Sequence, residues 1–452
     1  MNGERFRAML NEMLPPDLVV EAARRLGVLK RERKLDPVAL IWALIFAGGT
    51  EECGRLASAL RALAKGDGET RVARSAFYQW FDAESDALMQ ELAERSCGFA
   101  EAMPKHLPGI LAGRRDWRAV DSTVVKLPNQ LMESYPGTGD YASLKVHKTY
   151  SLGAENIVGY HITPGRDHDG PELHLDESWR NMGLVVDLGY ASFRLLREAR
   201  AHDVAVVLRL KEGWKVHIDD SVGQEAMRSW LTGTDLETLL RERKLQIDPR
   251  KVLDVDVSLG PASDPIAVRL VGVPTKDKGF LLFFTNLSRS THSPEDVATL
   301  YRLRWNIELD NKLNKSAFRL DQVTAQSPVS VRILVHAALI ASIIANAYAH
   351  QDHLERGYVG DKTPRLTEAP VHPMLVAKAI ASSAHALAAM MADPETPPRP
   401  WASLVSAIRH LSLDPNWRRN PSVLDRVKGR VAAPGRPRRS TAAAAKAAAT
   451  AK

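Results

Sequence analysis

Hydrophobic and polar positions divide the chain into a helical start, a strand-rich middle and a helical end. Residues 1–105 read as all-helical. Asp36-Pro37 is a helix start, with Asp as N-cap and Pro in the first turn. The apolar run "VALIWALIFA" follows, and Gly48-Gly49 ends it. A second helix is predicted from about Glu51 to Lys65, stopping at "GDG", and a third from near Ser75 in "SAFYQWF". Short helices joined by tight turns suit a helix-turn-helix-like unit. Arg71 and Arg74, leading into the third helix, would then meet phosphates. The other reading is a plain helical bundle with Phe77, Trp80 and Phe81 in its core.

From Trp117 the pattern changes to strands. "WRAVDSTVVKL" is an apolar run interrupted by Asp121, and "KVHKTYSLGA" and "NIVGYHIT" form a hairpin across Glu155-Asn156. "GLVVDLGYAS" is a buried-type strand ending at Asp187, followed by a helix through Arg200, and "DVAVVLRLK" is another apolar strand. Antiparallel strands followed by alternating helix and strand predict an α/β domain with a mixed sheet. Between 212 and 290 lies a β-rich insertion, with a helical run near Thr234–Arg243 before "KVLDVDVSL", "IAVRLVGV" and "GFLLFFTNL". A single helix is predicted over about Pro294–Phe318. Ala-rich helices continue to about Leu411, interrupted by a loop at "DPETPPRP" (393–400).

The helix of 294–318 distributes its polar residues unevenly. At about 100° per residue, Tyr301, Arg304, Glu308 and Lys315 fall within an arc of about 60°, while Leu300, Leu303, Ile307 and Phe318 cluster on a separate arc that would pack inward. A solvated face carrying i,i+4 ion pairs is one account of this arc. The wall of a site is the other.

Composition narrows the class without choosing between these. Apolar content of 45% and charged content of 25% suit a soluble globular protein. Cys53 and Cys97 offer no metal spacing and at most one disulfide, so a reducing interior is expected. The opening "MNGERFRAML" lacks a basic n-region followed by an apolar run, so no signal peptide is expected, and the most apolar window, Ile333–Ala349, suits a buried core helix better than a membrane span. The pI of 9.3 comes from one end. Lys428, Arg430, Arg436, Arg438, Arg439, Lys446 and Lys452 carry the whole net charge of +7, so any basic groove in the body must be a local asymmetry.

Candidate chemistry lies with the acids. Asp121 and Asp187 break apolar strands, where an ionised carboxylate is expensive unless it faces a cleft at a strand's end. Either alone could be an N-cap or turn acid. Together with Glu308 they could converge on a hard cation such as Mg²⁺, which takes oxygen ligands and keeps several waters. Paired ions of that kind drive phosphodiester chemistry, and without metal such clustered carboxylates would repel and take up protons.

The spacing Tyr301, Arg304, Glu308, Lys315, with "VDSTVV" around Asp121 and "VVDLGY" around Asp187, resembles the DDE transposases of the insertion-sequence-four family. The likeness covers roughly residues 70–345. It implies an RNase H-like core interrupted by a β-rich insertion. It also implies that Asp121, Asp187 and Glu308 hold Mg²⁺, or Mn²⁺ in its place, and that Tyr301, Arg304 and Lys315 contact phosphates or element-end DNA. "LKVHK", with Lys145, His147 and Lys148, also resembles a family segment and adds candidate DNA contacts; "GRDHDG", with His168 and Asp169, resembles a family segment of less defined role. For His147 and His168 a structural hydrogen bond is the stronger account. There is no zinc spacing and no ATP-binding loop.

The implied activity is cut-and-paste transposition of an insertion sequence, in the cytoplasm at the nucleoid. Its partners would be terminal inverted repeats and target DNA, and it would act as a homodimer on DNA with no membrane association. The apolar stretch after 320 is the candidate dimer contact, although burial within its own chain is the better reading of it. Rival readings are a domesticated nuclease of the same core and a helix-turn-helix regulator. The expected organisation is a helical DNA-binding domain at 1–105, core at 106–211, insertion at 212–290, core with the acid-bearing helix at 291–345, C-terminal helices at 346–427 and a disordered basic tail at 428–452.

Overall fold

The computed structural model describes residues 1–29, 36–47, 55–66, 73–211, 213–218, 231–232, 236, 238, 252–260, 263–275, 279–357 and 369–430. A mixed ten-stranded sheet runs through its middle. The strands are β1 (Trp117–Lys126), β2 (Ser143–Ser151), β3 (Asn156–Pro164), β4 (Gly183–Val186), β5 (Ala205–Arg209), β6 (Lys215–Ile218), β7 (Leu231–Thr232), β8 (Leu253–Leu259), β9 (Ile266–Pro274) and β10 (Phe280–Thr285). Their spatial order is β3-β2-β1-β4-β5-β10-β9-β8-β6-β7. β1 pairs antiparallel with β2, and β2 with β3, whereas β4 and β5 run parallel to β1. An antiparallel meander carrying two further parallel strands in the order 3-2-1-4-5 is the arrangement expected of an RNase H-like core. The strands from 212–290 do not form a layer of their own. β10 pairs with β5 and extends the same sheet outward through β9 and β8.

Strands at the centre are apolar on both faces because both faces are covered. β4 is buried along its whole length, and β5 up to Arg209. On one face lie helix α7 (Phe193–Ala201) and the loop that carries Leu173, Leu175 and Trp179. On the other lie the helices, which share one core with α1 (Gly3–Met13), α2 (Pro16–Arg25), α3 (Pro37–Ala47), α4 (Arg55–Gly66), α5 (Arg74–Tyr78) and α6 (Ala83–Ala102). Asp36 caps α3 as expected, accepting the Val38 N–H at 3.0 Å. The third predicted helix is short, only Arg74–Tyr78; Phe77 is fully buried, with Trp80 and Phe81 packed beside it. Gly48-Gly49, residues 51–54 and most of 234–243 lie outside the described residues.

The single helix expected over 294–318 is two, α8 (Pro294–Leu303) and α9 (Trp305–Ser316). Arg304 keeps helical dihedrals, but the ladder tightens there to three-residue spacing: Arg304 N–H bonds Tyr301 O, and Ile307 N–H bonds Arg304 O. The Asn306 side chain takes the Leu303 carbonyl at 2.7 Å, which competes with the helical bond. The inward arc survives the break, with Leu300, Leu303, Ile307 and Phe318 all buried.

Helix α10 (Pro328–Glu355) is buried almost throughout, packed on α6, α3, α9 and α11 (Pro373–Ser382). It is long and apolar enough to cross a membrane, yet 78% of its most apolar window is covered by the rest of the protein. That burial accords with reading the stretch after 320 as a helix held within its own chain. Helices α12 (Ala384–Ala392), α13 (Pro398–Leu411) and α14 (Val423–Val427) complete the described chain. α13 begins inside the loop expected at 393–400, because Pro398 takes the first helical position.

The boundary expected at 428 is also corrected. Lys428 and Arg430 are buried, and both bond to Glu155, which stands at the β2–β3 turn with a left-handed backbone (φ 54°). They belong to the fold, held by a carboxylate far away in sequence. Residues 431–452 lie outside the described residues.

Candidate active site

Strand register brings the first two acids together. The parallel pairing of β1 with β4 ends at Val120↔Val186, so Asp121 and Asp187 are the next residues on adjacent strands. β4 stops there, and the chain turns as Tyr190 N–H bonds Asp187 O at 3.1 Å. Asp187 therefore stands at the carboxyl end of a parallel strand, where sheets of this kind open a crevice. Asp121, expected at a strand end, is instead the fifth of ten residues in β1. It reaches the same crevice because β1 continues past the end of β4.

The third acid arrives on α9, which lies across β1 and β2. Asp121 shares its face of the sheet with buried Ala119 and Val125, the face covered by the helices. From α9, Asn311 Nδ2 donates to Asp121 Oδ2 at 2.9 Å, and Glu308 lies one turn back on the same helix. Glu308 is engaged by Arg304 at 2.6 Å. The guanidinium in turn lies over the Tyr301 ring, 5.6 Å from its centroid, and that ring packs on Phe283 at 5.1 Å.

These groups act on one another's charge. Burial pushes the Asp121 carboxyl up to about 6. The Ser122 backbone N–H and Arg304 work against the rise, while Glu308 and Asp187 add to it by repulsion. Burial alone would lower the Arg304 pKa, but Tyr301, Glu308 and Asp187 outweigh it and hold the guanidinium above its ordinary value. Arg304 thus sits within the field of all three acids. Lys315 is half-buried further along α9, where a cleft of about 490 Å³ runs past Glu308, Asn311, Lys312 and Arg319.

An oxygen-rich donor set of three carboxylates beside an amide suits a hard divalent cation. Asn311 Oδ1 is buried without a hydrogen-bond partner among the described residues, a further oxygen of the right kind. Among the described residues no three acidic, His or Cys side chains are already gathered closely enough to hold an ion. The ion pair to Arg304 turns Glu308 to another partner, so the residues fit a cation by chemistry once that pair opens.

The remaining candidates divide. Lys145 is half-buried and donates to Asp167 O at 2.6 Å and Asp169 Oδ1 at 2.9 Å; the same Asp169 oxygen accepts from Ser122 Oγ at 2.9 Å. His168 is exposed. His147 is corrected as a DNA contact: it is buried, stacked on His161 at 4.4 Å and bonded to Thr163 Oγ1 at 3.0 Å. Burial, reinforced by His161, lowers its pKa to about 4, so it is neutral at physiological pH. Lys148 is corrected likewise, being wholly buried and paired with Asp310. Arg74 is exposed and lies over the Tyr78 ring, whereas Arg71 lies outside the described residues. Asn311 is the site residue that sequence reasoning missed. Its position one turn after Glu308 was the available signal.

Comparison with known proteins agrees with the geometry. The family model described as "Transposase DDE domain" matches residues 113–344. The transposase for insertion sequence element IS231C of Bacillus thuringiensis subsp. berliner is 22% identical over 389 residues, covering 76% of this chain and 79% of that protein. A putative transposase InsL for insertion sequence element IS186A of Escherichia coli (strain K12) is 39% identical over 66 residues, 15% of this chain and 18% of that one. A solved piggyBac transposase synaptic complex with hairpin DNA aligns with a TM-score of 0.46 at 10% identity, over 91% of this chain and 86% of that chain, too low a score to bear on the fold.

Proposed function

The chain belongs to the transposase DDE domain family, and we propose that Asp121, Asp187 and Glu308 are the acids with which it cuts and joins DNA. It is an insertion-sequence transposase, an enzyme that cleaves and transfers DNA strands. Enzymes of this family use divalent metal ions. Mg²⁺, with Mn²⁺ as a substitute, is the ion that the donor set suits. Bound there, such an ion would supply Lewis-acid chemistry at the attacking and leaving oxygens.

The observation that carries this reading is the register that makes Asp121 and Asp187 neighbours under the helix bearing Glu308. The chain's own groups then have distinct tasks. Asp121, Asp187 and Glu308 would hold the ion, with Asn311 fixing one oxygen of Asp121. Arg304 and Lys315, whose charge excludes them as ligands, hold phosphates of the element end. Tyr301 steadies Arg304 by its ring. Cleavage at the ends frees 3′-hydroxyls that attack target DNA, a cut-and-paste sequence needing no covalent enzyme intermediate.

The DNA partners are the terminal inverted repeats and the target, met in the cytoplasm at the nucleoid. Residues 1–105 read as the end-binding domain. Two ends cut and joined together require two sites, hence two chains paired on DNA by a two-fold axis. Light scattering with and without end DNA tests the pairing; an active complex with one chain per two ends would exclude it. The acid assignment is tested by Asp187→Ala, which is expected to stop cleavage in Mg²⁺ and leave end binding largely intact. Cutting at the wild-type rate would refute it.

A further inference from the structure

Beside the acids lies a charged pair that the chemistry above does not use. Lys148 and Asp310 are both buried, with side chains 0% and 2% exposed, and they bond to each other. Asp310 is saturated: Asn314 Nδ2 donates to one oxygen at 3.0 Å, and Ser342 Oγ and Asn346 Nδ2 donate to the other at 3.1 and 2.8 Å. The node therefore ties three elements together, β2 through Lys148, α9 through Asp310 and α10 through Ser342 and Asn346.

Its place in the sheet gives it meaning. Lys148 is the cross-strand partner of Asp121, so the two side chains leave the same face side by side. Two consecutive residues of α9 land on this one register pair, Asn311 on Asp121 and Asp310 on Lys148. A buried ion pair is weak as glue, because desolvation offsets most of its attraction, and apolar residues would hold the helix equally well. It differs from an apolar contact in direction: four donors on one carboxylate fix both the height and the rotation of α9. A rotation of about 20° on an arm of about 6 Å would displace the Glu308 carboxylate by about 2 Å. Misplacement of about 1 Å is enough to cost on the order of a hundredfold in rate.

We propose that Lys148 and Asp310 are positioning residues that set the rotation of α9, so that Glu308 faces Asp121 and Asp187. The inference rests on the acid assignment above. The test is the double variant Lys148→Met/Asp310→Asn, which removes both charges and keeps an acceptor for Ser342 and Asn346. Two quantities are read: Mn²⁺ binding, from loss of the free-ion paramagnetic resonance signal in the protein–end-DNA complex, and the Mn²⁺ concentration giving half-maximal cleavage. Positioning predicts that both weaken by about tenfold or more, the usual effect of losing a residue that orients a ligand, while Tm does not fall and end-DNA affinity stays within about twofold. Unchanged Mn²⁺ affinity in the folded double variant overturns the proposal. Asp310→Glu is the second variant, because it keeps the ion pair but lengthens the arm by one methylene. A several-fold weaker Mn²⁺ affinity is expected, and a folded Asp310→Glu protein with wild-type affinity overturns the proposal equally. If Asp187→Ala still cuts, the acid assignment has failed. If Asp187→Ala is inactive and the double variant binds Mn²⁺ normally, only the positioning role has.

Discussion

Two clusters of charge in this protein invite comparison, the acid crevice above β4 and the buried node around Glu155. Glu155 is enclosed and surrounded by cations. Arg430 binds it with two nitrogens at 2.6 and 2.9 Å, Lys428 at 2.8 Å, and His350 lies at 3.4 Å. Burial would raise its pKa, but Arg430 and then Lys428 hold it well below the usual carboxylate range. The crevice is the reverse. Three acids share the field of Arg304, one of them is pushed up to about 6, and an amide oxygen beside them has no partner among the described residues. A closed ionic node belongs to the fold, whereas one left short of positive charge is a candidate ligand site.

The sharpest way to break this contrast is to delete one acid from each. Asp121→Ala and Glu308→Ala are each expected to lower cleavage by about 10⁴-fold, equivalent to about 5 kcal/mol of barrier, with end-DNA affinity nearly unchanged. Strand cleavage and mobility-shift assays on the same preparations check this. Glu155→Gln is expected to leave metal affinity alone and instead lower stability by about 3–5 kcal/mol, since Lys428 would remain buried without its anion and Arg430 would keep only Asp425. Chemical denaturation measures that loss. A Glu155→Gln protein of wild-type stability would remove the distinction between the clusters.

What the sequence disclosed follows the same division. Asp121, Asp187 and the Tyr301–Lys315 spacing were legible because each is written in a short stretch: an acid interrupting an apolar strand, or polar residues at helical intervals. Even the break at Arg304 is local, but it depends on one side chain, Asn306, taking a carbonyl, which periodicity does not encode. Lys148 and Arg430 were misread for another reason. In "LKVHK" and in the basic end segment they look like solvated charge, and their anions, Asp310 and Glu155, stand 162 and 275 residues away. His147 hides in the same segment, and its burial is set by strand pairing with His161.

A smaller effect sharpens the claim that one guanidinium leaves the three acids of the crevice short of positive charge. In the folded protein the Asp121 pKa is about 6, raised from an ordinary value of 3.8. For an acid so shifted, the stabilising contribution is complete below about pH 4 and is lost as pH rises through 6. Above pH 6 its ionisation costs the metal-free protein on the order of 2–3 kcal/mol. Asp121→Asn should therefore be more stable than wild type at pH 7.5 and not at pH 4. Added Mg²⁺ should raise the Tm of the wild type at pH 7.5 and leave that of Asp121→Asn nearly unmoved. Denaturation curves at both pH values, with and without Mg²⁺, decide it; equal stability at pH 7.5 would mean that the acids do not strain the crevice.

The smallest expected effect concerns Arg304, the residue on which both accounts of the polar arc converge. As part of a solvated helix face, its pair with Glu308 contributes a few tenths of a kcal/mol, and Arg304→Ala would do little else. As a phosphate ligand it has two partners at different times, Glu308 without DNA and a phosphate with it. The half-buried position and the raised guanidinium pKa keep it charged for either. Removing one phosphate-binding cation flattens the dependence of log affinity on log salt by about one unit. Arg304→Ala is therefore expected to lower that slope by about one, with weaker end binding at low salt and nearly equal binding at high salt. Lys315→Ala should do the same, and the double variant should lower it by about two, because the residues lie three turns apart and reach separate phosphates. Glu308→Gln should leave the slope unchanged or raise it slightly, since freeing Arg304 from its carboxylate makes the guanidinium more available. Titrations of end-DNA affinity against salt for these four proteins read the slopes directly. A wild-type slope in Arg304→Ala would return the arc to the solvated-face account, leaving the crevice with acids but no grip on the strand it cuts.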